Sequence, residues 1–323
     1  MKNVTISGEA VIYLALLALQ FGLQPILMQR YAPVGIIRST VVILQEVTKF
    51  LFSGSILLVN QSWSSALQDW STRGFLTEAV LPAGLYGIQN VAYLMAVQTL
   101  DPLTFNVLAQ TKTLSAALCC YLLLGRKQSR TQIIALLLLL WAALIMEGVI
   151  FIDFTRYWER DTSSSEWEWH HLTHGVLPIL LSTFISGLAG ALSQGALQHK
   201  NSYLFSMELC AAQSLLLVTS LCFSSDGTMI LEKGFFHQWE WATFLPIMTG
   251  AVGGVLVGLV TKHAGAVYKG FALITGMFLS GVLQSSSVSL QQAVGGTLAA
   301  ISIFLHATNP PRSAIVKESK KKN

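Results

Sequence analysis

A chain of 323 residues that is 53% hydrophobic and 11% charged carries too few charges to coat a soluble globule of its size. A mean hydropathy of +0.57 agrees. The formal net charge is only +4, and no nucleic-acid partner is expected; the class that remains is an integral membrane protein.

Runs of about 20 apolar residues match the thickness of a bilayer core. They fall at 9–28, 36–59, 79–99, 103–124, 131–152, 175–197, 203–223, 241–261, 268–288 and 290–307. The first is preceded by Lys2 alone and has no clear small-residue cleavage site, so it reads as a retained spanning helix and not a signal peptide. The second carries Glu46 and Lys49, and the last two are joined only by 285–289. The expected fold is an all-α integral membrane protein with ten transmembrane helices.

Ten helices divide into two sets of five, and an odd number makes the second set enter the membrane from the opposite side. This predicts two inverted five-helix repeats, with a substrate site near the midplane where the halves meet. The boundaries are 1–152 for the first repeat, 153–174 for a loop, 175–307 for the second repeat and 308–323 for a tail. Cytosolic loops collect Lys and Arg. With a cytosolic N-terminus, thirteen basic residues fall on the cytosolic side and five on the other, leaving Lys49 and Lys112 inside helices. Both termini are then cytosolic and the acidic, Trp-rich loop 153–174 is luminal. The sequons at Asn3 and Asn60 fall on the cytosolic side and should carry no glycan.

Cys119, Cys120, Cys210 and Cys222 all lie in apolar runs, where they read as packing residues. His170 and His174 stand one helical turn apart beside His171. Without a third spaced ligand they read as an interfacial His-Trp loop, and no metal or other cofactor is expected.

Lys112 lies near the middle of the otherwise uncharged stretch 103–125. An ammonium inside a spanning helix costs about 2.5–3.5 kcal/mol on insertion scales, which makes it a functional candidate. The structural alternative is an ion pair with Glu46 or Glu208. Lys262 and Lys269 are spaced seven apart in a glycine-flanked stretch, on one face if helical, and offer two more cations for a phosphate. The alternative is that they mark the cytosolic end of a helix. Tyr86, Gln89, Asn90 and Tyr93 share a helical face that suits a base and ribose, or else holds helices together. Glycines at 250, 253, 254, 258 and 276, with Ser280, permit close helix contacts.

The stretch 82–132 resembles the nucleotide-sugar transporter family of the drug/metabolite transporter superfamily. The matching residues are Pro82-Ala83-x-x-Tyr86, Gln89-Asn90, Leu100-Asp101, Thr104-Phe105, Gln110-x-Lys112 and Leu123-Leu124-Gly125-Arg126. Glu46-x-x-Lys49, Ser186-Gly-Leu-Ala-Gly190 and Lys262 with Lys269-Gly270-Phe271-Ala272 extend the resemblance. It implies that Tyr86 and Asn90 contact the nucleotide, that Lys112 and Lys269 meet its phosphates, and that Phe105 stands near the base. Gln89, Lys262, Glu46, Lys49 and Glu208 join these as candidate substrate-site residues, with Glu208 a possible coupling or pairing residue.

The family's Lys-Tyr-Ala-Asp-Asn-Ile is Lys262-His-Ala-Gly-Ala-Val267 here, and the Arg-Asn pair that opens the seventh helix in many relatives is absent. These departures count against the CMP-sialic acid branch, and in general similarity, not by a motif, the chain resembles the plant-type subgroup linked to UDP-N-acetylhexosamines. The resemblance implies exchange of a UDP-linked sugar (N-acetylglucosamine, N-acetylgalactosamine or galactose) for nucleoside monophosphate. Rivals are a same-fold carrier of CMP-sialic acid or another organic anion, and a non-transporting membrane scaffold or regulator. No spaced carboxylate, His or Cys set suits catalysis, so an enzyme is not expected. Lys320 and Lys321, the fourth and third residues counted back from the end of the chain, resemble a dilysine retrieval signal read by coat machinery, which places the protein in the endoplasmic reticulum or Golgi membrane. A homodimer is an allowed assembly.

Overall fold

The computed structural model describes residues 8–33, 35–60, 63–68, 70–100, 105, 108–146, 170, 172–284 and 290–309. Among them there is no strand. A helix satisfies its own backbone groups where lipid offers no hydrogen bonds. The elements are α1 (Gly8–Tyr31), α2 (Arg38–Val59), α3 (Trp63–Leu67), α4 (Thr72–Phe75), α5 (Leu81–Thr99), α6 (Lys112–Leu124), α7 (Arg130–Met146), α8 (Leu177–Ala196), α9 (Ser202–Leu221), α10 (Ser225–Lys233), α11 (Phe244–His263), α12 (Ala266–Gln284) and α13 (Leu290–Thr308). π-helical turns Leu76–Val80 and Leu172–Val176 lead into α5 and α8.

Among the described residues six segments are long and apolar enough to cross a membrane: Gly8–Tyr31, Arg38–Val59, Leu172–Ala196, Ser202–Leu221, Trp241–His263 and Ala266–Leu283. Lys112–Leu124, Arg130–Ile145 and Ala293–Thr308 are apolar but shorter. The expected run 103–124 is not one uninterrupted helix. Turns at Gln110 and Thr111 interrupt it, and α6 starts at Lys112. It ends at Gly125, whose φ of 61° lets it donate to Tyr121 O while Arg126 N donates to Cys120 O, the left-handed stop that favours glycine.

The chain forms two compact units. The first comprises Gly8–Gly87 and Leu192–Gln284; the second comprises Ile88–Ala191 and α13, so each draws on both ends of the sequence. In the first unit α1 packs on α11 and α12, and α2 packs on α9 and α11. Its core joins Leu17 and Ala18 to Val255, Leu256, Leu259, Val260 and Ala272. A Cβ on Gly276 would stand 2.8 Å from Ala18 O and 3.0 Å from Gly22 N, so the α1–α12 crossing depends on glycine. In the second unit α7 packs on α13, where Gln132 Nε2 donates to His306 O at 3.2 Å and the Ser302 hydroxyl donates to Ala135 O. Gly187 of α8 lies against the Ser115 carbonyl of α6, with 2.6 Å from a built Cβ to that carbon.

The connection from α9 to α11 folds back on the first unit. The backbone N–H and hydroxyl of Ser39 donate to Asp226, Trp239 Nε1 donates to Thr40 Oγ1 at 3.2 Å, and the Thr243 hydroxyl donates to Tyr31 O at 3.1 Å. These bonds hold α10 beside the turn between α1 and α2. Cys119, Cys120 and Cys210 are buried, as packing residues should be. Cys222 is exposed just past α9, where the helix ends two residues earlier than the apolar run.

Candidate substrate site

Four lysines of the first unit differ in what holds their charge. Lys49 Nζ is 2.8 Å from Glu46 Oε1, one helical turn away on α2, with both side chains largely buried. Lys200, in the turn before α9, lies between Glu208 Oε2 at 2.9 Å and Glu78 Oε2 at 3.0 Å, and His199 Nε2 approaches the other Glu78 oxygen at 3.1 Å. Burial pushes the Glu78 carboxyl up, but hydrogen bonds from Lys200 and His199 outweigh it and hold the group below its ordinary value. Burial pulls the Lys200 ammonium down, and its bonds to Glu208 and Glu78 outweigh that and hold it above its ordinary value. Lys262 is exposed and donates to Lys200 O at 3.2 Å.

Lys269 is different. Its ammonium is 5.8 Å from the centre of the Tyr86 ring, and among the described residues no carboxylate lies within ion-pair distance of it. It occupies the first turn of α12, where the helix dipole also favours an anion. Lys269 is thus a half-buried cation over an aromatic face with no carboxylate at ion-pair distance among the described residues.

In the second unit Lys112 is the first residue of α6 and half-buried. The sequence placed it mid-helix; the backbone instead breaks immediately before it. Thr111 supplies no side-chain cap, because its hydroxyl donates to Leu108 O at 2.7 Å and bonds to Thr183 Oγ1 at 3.1 Å. Lys112 thus adds its charge to a helix N-terminus, where the helix dipole also favours an anion. The two carboxylates that offered it an ion pair are engaged elsewhere: Glu46 with Lys49 and Glu208 with Lys200.

The polar face of α5 is divided between the units. Tyr86 is half-buried beneath Lys269, Gln89 is half-buried with its carbonyl accepting from Ser182 Oγ at 3.1 Å, and Asn90 is exposed. Phe105 is buried, packing with Ala96, Leu100 and Ile179 and meeting the Tyr93 ring edge-on at 4.7 Å. His170 and His174 stack at 4.5 Å, and among the described residues no group of three His, Cys, Asp or Glu could hold a metal. His171, Lys320 and Lys321 lie outside the described residues.

A family model for nucleotide-sugar transporters matches residues 10–307. This chain belongs to the nucleotide-sugar transporter family. The UDP-N-acetylglucosamine transporter ROCK1 of Arabidopsis thaliana is 36% identical over 281 residues, covering 85% of this chain and 83% of that protein. A UDP-N-acetylglucosamine/UDP-N-acetylgalactosamine transporter of Caenorhabditis elegans, nstp-4, is 27% identical over 270 residues, 81% of this chain and 77% of the relative. The UDP-N-acetylglucosamine transporter of Rattus norvegicus is 27% identical over 242 residues, 71% and 70% of the two chains. A solved crystal structure superposes with a TM-score of 0.62 at 12% identity, covering 92% of this chain and 96% of that one; at that identity the likeness concerns the fold alone. The family is a carrier class, in keeping with the six helices among the described residues that are long and apolar enough to span a bilayer.

Sequence reasoning missed two features of this transporter. Glu78, His199 and Lys200 form a charged cluster on the wall of a cavity of about 230 Å³ that Ser71, Gly74 and Asn201 also line. Neither Glu78 nor His199 stands in a motif, and Lys200 reads as one more basic loop residue. The second is the use of the α11 glycines. A Cβ on Gly250 would stand 2.3 Å from Gln45 Nε2, one on Gly253 would stand 2.3 Å from Gln20 Cδ, and one on Gly254 would stand 2.4 Å from Lys49 Cδ. These glycines make room for polar side chains of α1 and α2, whereas Gly276 meets α1 backbone. The i, i+4 spacing of Gln20 and Gln24, whose amides bond to each other at 3.2 Å, was the available signal.

Proposed function

We propose that this transporter exchanges a UDP-linked sugar, of the UDP-N-acetylglucosamine, UDP-N-acetylgalactosamine or UDP-galactose kind, for nucleoside monophosphate. It acts in the endoplasmic reticulum or Golgi membrane with both termini cytosolic, through ten spans in two inverted five-helix repeats. The observation that carries the reading is Lys269: among the described residues it is a cation over the Tyr86 ring without a carboxylate at ion-pair distance. The sugar class is supported by 36% identity to a plant UDP-N-acetylglucosamine transporter.

In this reading Lys269 binds phosphate oxygens, with a helix N-terminus behind it. Tyr86 holds Lys269 from the ring side and leaves the ammonium's donors for the anion. Exchange follows from the cost of the empty site. A cation held away from water without a counter-ion is expensive, and a bound nucleotide lowers that cost. The carrier therefore crosses loaded in both directions, with nucleotide sugar one way and monophosphate the other.

The test is uptake of radiolabelled UDP-sugars by proteoliposomes preloaded with UMP. Uptake that requires internal UMP and disappears in Lys269→Ala supports the exchanger. Uptake of CMP-sialic acid in preference to every UDP-sugar assigns the site to the other branch of the family.

A further inference from the structure

The geometry points to Gln194 as a positioning residue that fixes the start of α12 and so aims the Lys269 ammonium at the transported anion. The inference rests on the role proposed above for Lys269.

A helix begins with N–H groups that lack intrahelical acceptors, and a Ser, Thr, Asp or Asn at the N-cap commonly supplies one. At α12 no such residue is available. Ala264 N and Gly265 N both donate back to Val260 O, at 2.8 and 3.0 Å, to close α11. Gly265 then turns the chain with a φ of 105° and has no side chain to cap anything. The acceptor comes instead from α8, 72 positions earlier in sequence: Ala266 N donates to Gln194 Oε1 at 2.8 Å.

Gln194 and Ala266 are both buried, at 3% and 5% exposure, so water cannot replace this acceptor. A buried amide oxygen that accepts a backbone N–H makes a bond that is costly to break, which is reason to ask what it fixes. Lys269 stands three residues beyond Ala266 on the same helical face. Anchoring the Ala266 N–H therefore sets both the height and the azimuth at which Lys269 leaves the helix, 5.8 Å from the Tyr86 ring centre. Tyr86, Gln194 and α12 all belong to the first unit, so this alignment is built within one body. Without the cap the first turn of α12 frays, and fraying displaces the lysine in that turn.

The experiment measures UMP and uridine binding to purified wild type, Gln194→Met, Gln194→Glu, Ala266→Pro and Lys269→Ala, with the melting temperature of each. Gln194→Met keeps the length of the side chain and removes the acceptor. Gln194→Glu keeps an acceptor oxygen. Ala266→Pro deletes the donor N–H at a first helical position, which proline tolerates, and so tests the bond from its other end if Gln194→Met does not fold. The expected result is UMP affinity about five- to tenfold weaker in Gln194→Met and Ala266→Pro, the size of a lost cap. Gln194→Glu restores it, uridine binding is unchanged because uridine has no phosphate, and Gln194→Met adds nothing in a Lys269→Ala background. A purely structural role would lower the melting temperature while leaving the UMP-to-uridine preference intact, and that pattern would overturn the inference. If Lys269→Ala itself leaves UMP binding unchanged, the phosphate role of Lys269 is what fails.

Discussion

The Lys269 ammonium and the Tyr86 ring face each other at 5.8 Å, from two helices whose residues lie far apart in sequence. This pair distinguishes Lys269 from Lys49 and Lys200, whose charges are met by carboxylates. Tyr86→Phe keeps the ring face and should keep nucleotide affinity within about twofold, while Tyr86→Leu should weaken it about tenfold, the upper range of a desolvated cation–π contact. Isothermal titration with UMP separates the two. Equal losses in both variants would assign the role to the phenol hydroxyl instead.

The Glu78–Lys200–Glu208 cluster predicts a defined pH dependence of stability. The Glu78 carboxyl is held below its ordinary value of 4.5, so the stability it adds is present above pH 4.5 and is lost as pH falls through the lowered value. The Lys200 ammonium is held above its ordinary value of 10.5, so its contribution is complete below pH 10.5 and is lost as pH rises through the raised value. Melting temperature should therefore be level between these limits as far as this cluster is concerned. Glu78→Gln should remove part of the acid fall. Lys200→Met leaves the buried Glu208 carboxylate unpaired and should destabilise by roughly 3 kcal/mol, the low end for a broken buried pair because Glu78 remains partly wet.

Glu46 and Lys49 form a closed pair, with both side chains largely buried. Removing one charge strands the other, so Lys49→Met alone should cost about 3 kcal/mol, and the double change Glu46→Gln with Lys49→Met should recover most of it. Urea unfolding of the three variants gives the coupling. Additive losses would mean that each group is held by other partners.

The α11 and α12 glycines should respond differently to alanine. Gly276→Ala drives a methyl into α1 backbone, 2.6 Å from Phe21 Cβ and 2.8 Å from Ala18 O, and should destabilise by about 1–3 kcal/mol, the range of overpacking. Gly254→Ala meets the flexible Lys49 side chain, which can swing aside. Its melting temperature should change less while transport falls, because a residue of the candidate site has moved. Paired melting and uptake measurements on the two variants check this.

Much of the architecture could be read from the sequence because a bilayer imposes a length on every helix and apolar runs show it. The residues of the Pro82–Gln132 block named the family before any coordinates, and the family model bears that out across residues 10–307. Local chemistry was less accessible. The break before Lys112 leaves no mark in hydropathy, since Gln110 and Thr111 are mild interruptions of an apolar run. The capping of Ala266 by Gln194 and the meeting of Lys269 with Tyr86 join residues far apart in sequence, and only the folding of the first unit, to which all four residues belong, brings them together. Lys200 looked like a loop cation because positive-inside counting registers a charge and says nothing of its partners.

The central claim is exchange at a phosphate site built on Lys269. The most direct measurement is uptake of radiolabelled UDP-N-acetylglucosamine into proteoliposomes, with and without internal UMP, for wild type and Lys269→Ala. Uptake by wild type that depends on internal UMP, together with none by a folded Lys269→Ala protein, is the predicted result. Uptake that ignores internal nucleotide, or that survives the loss of Lys269, would contradict the account.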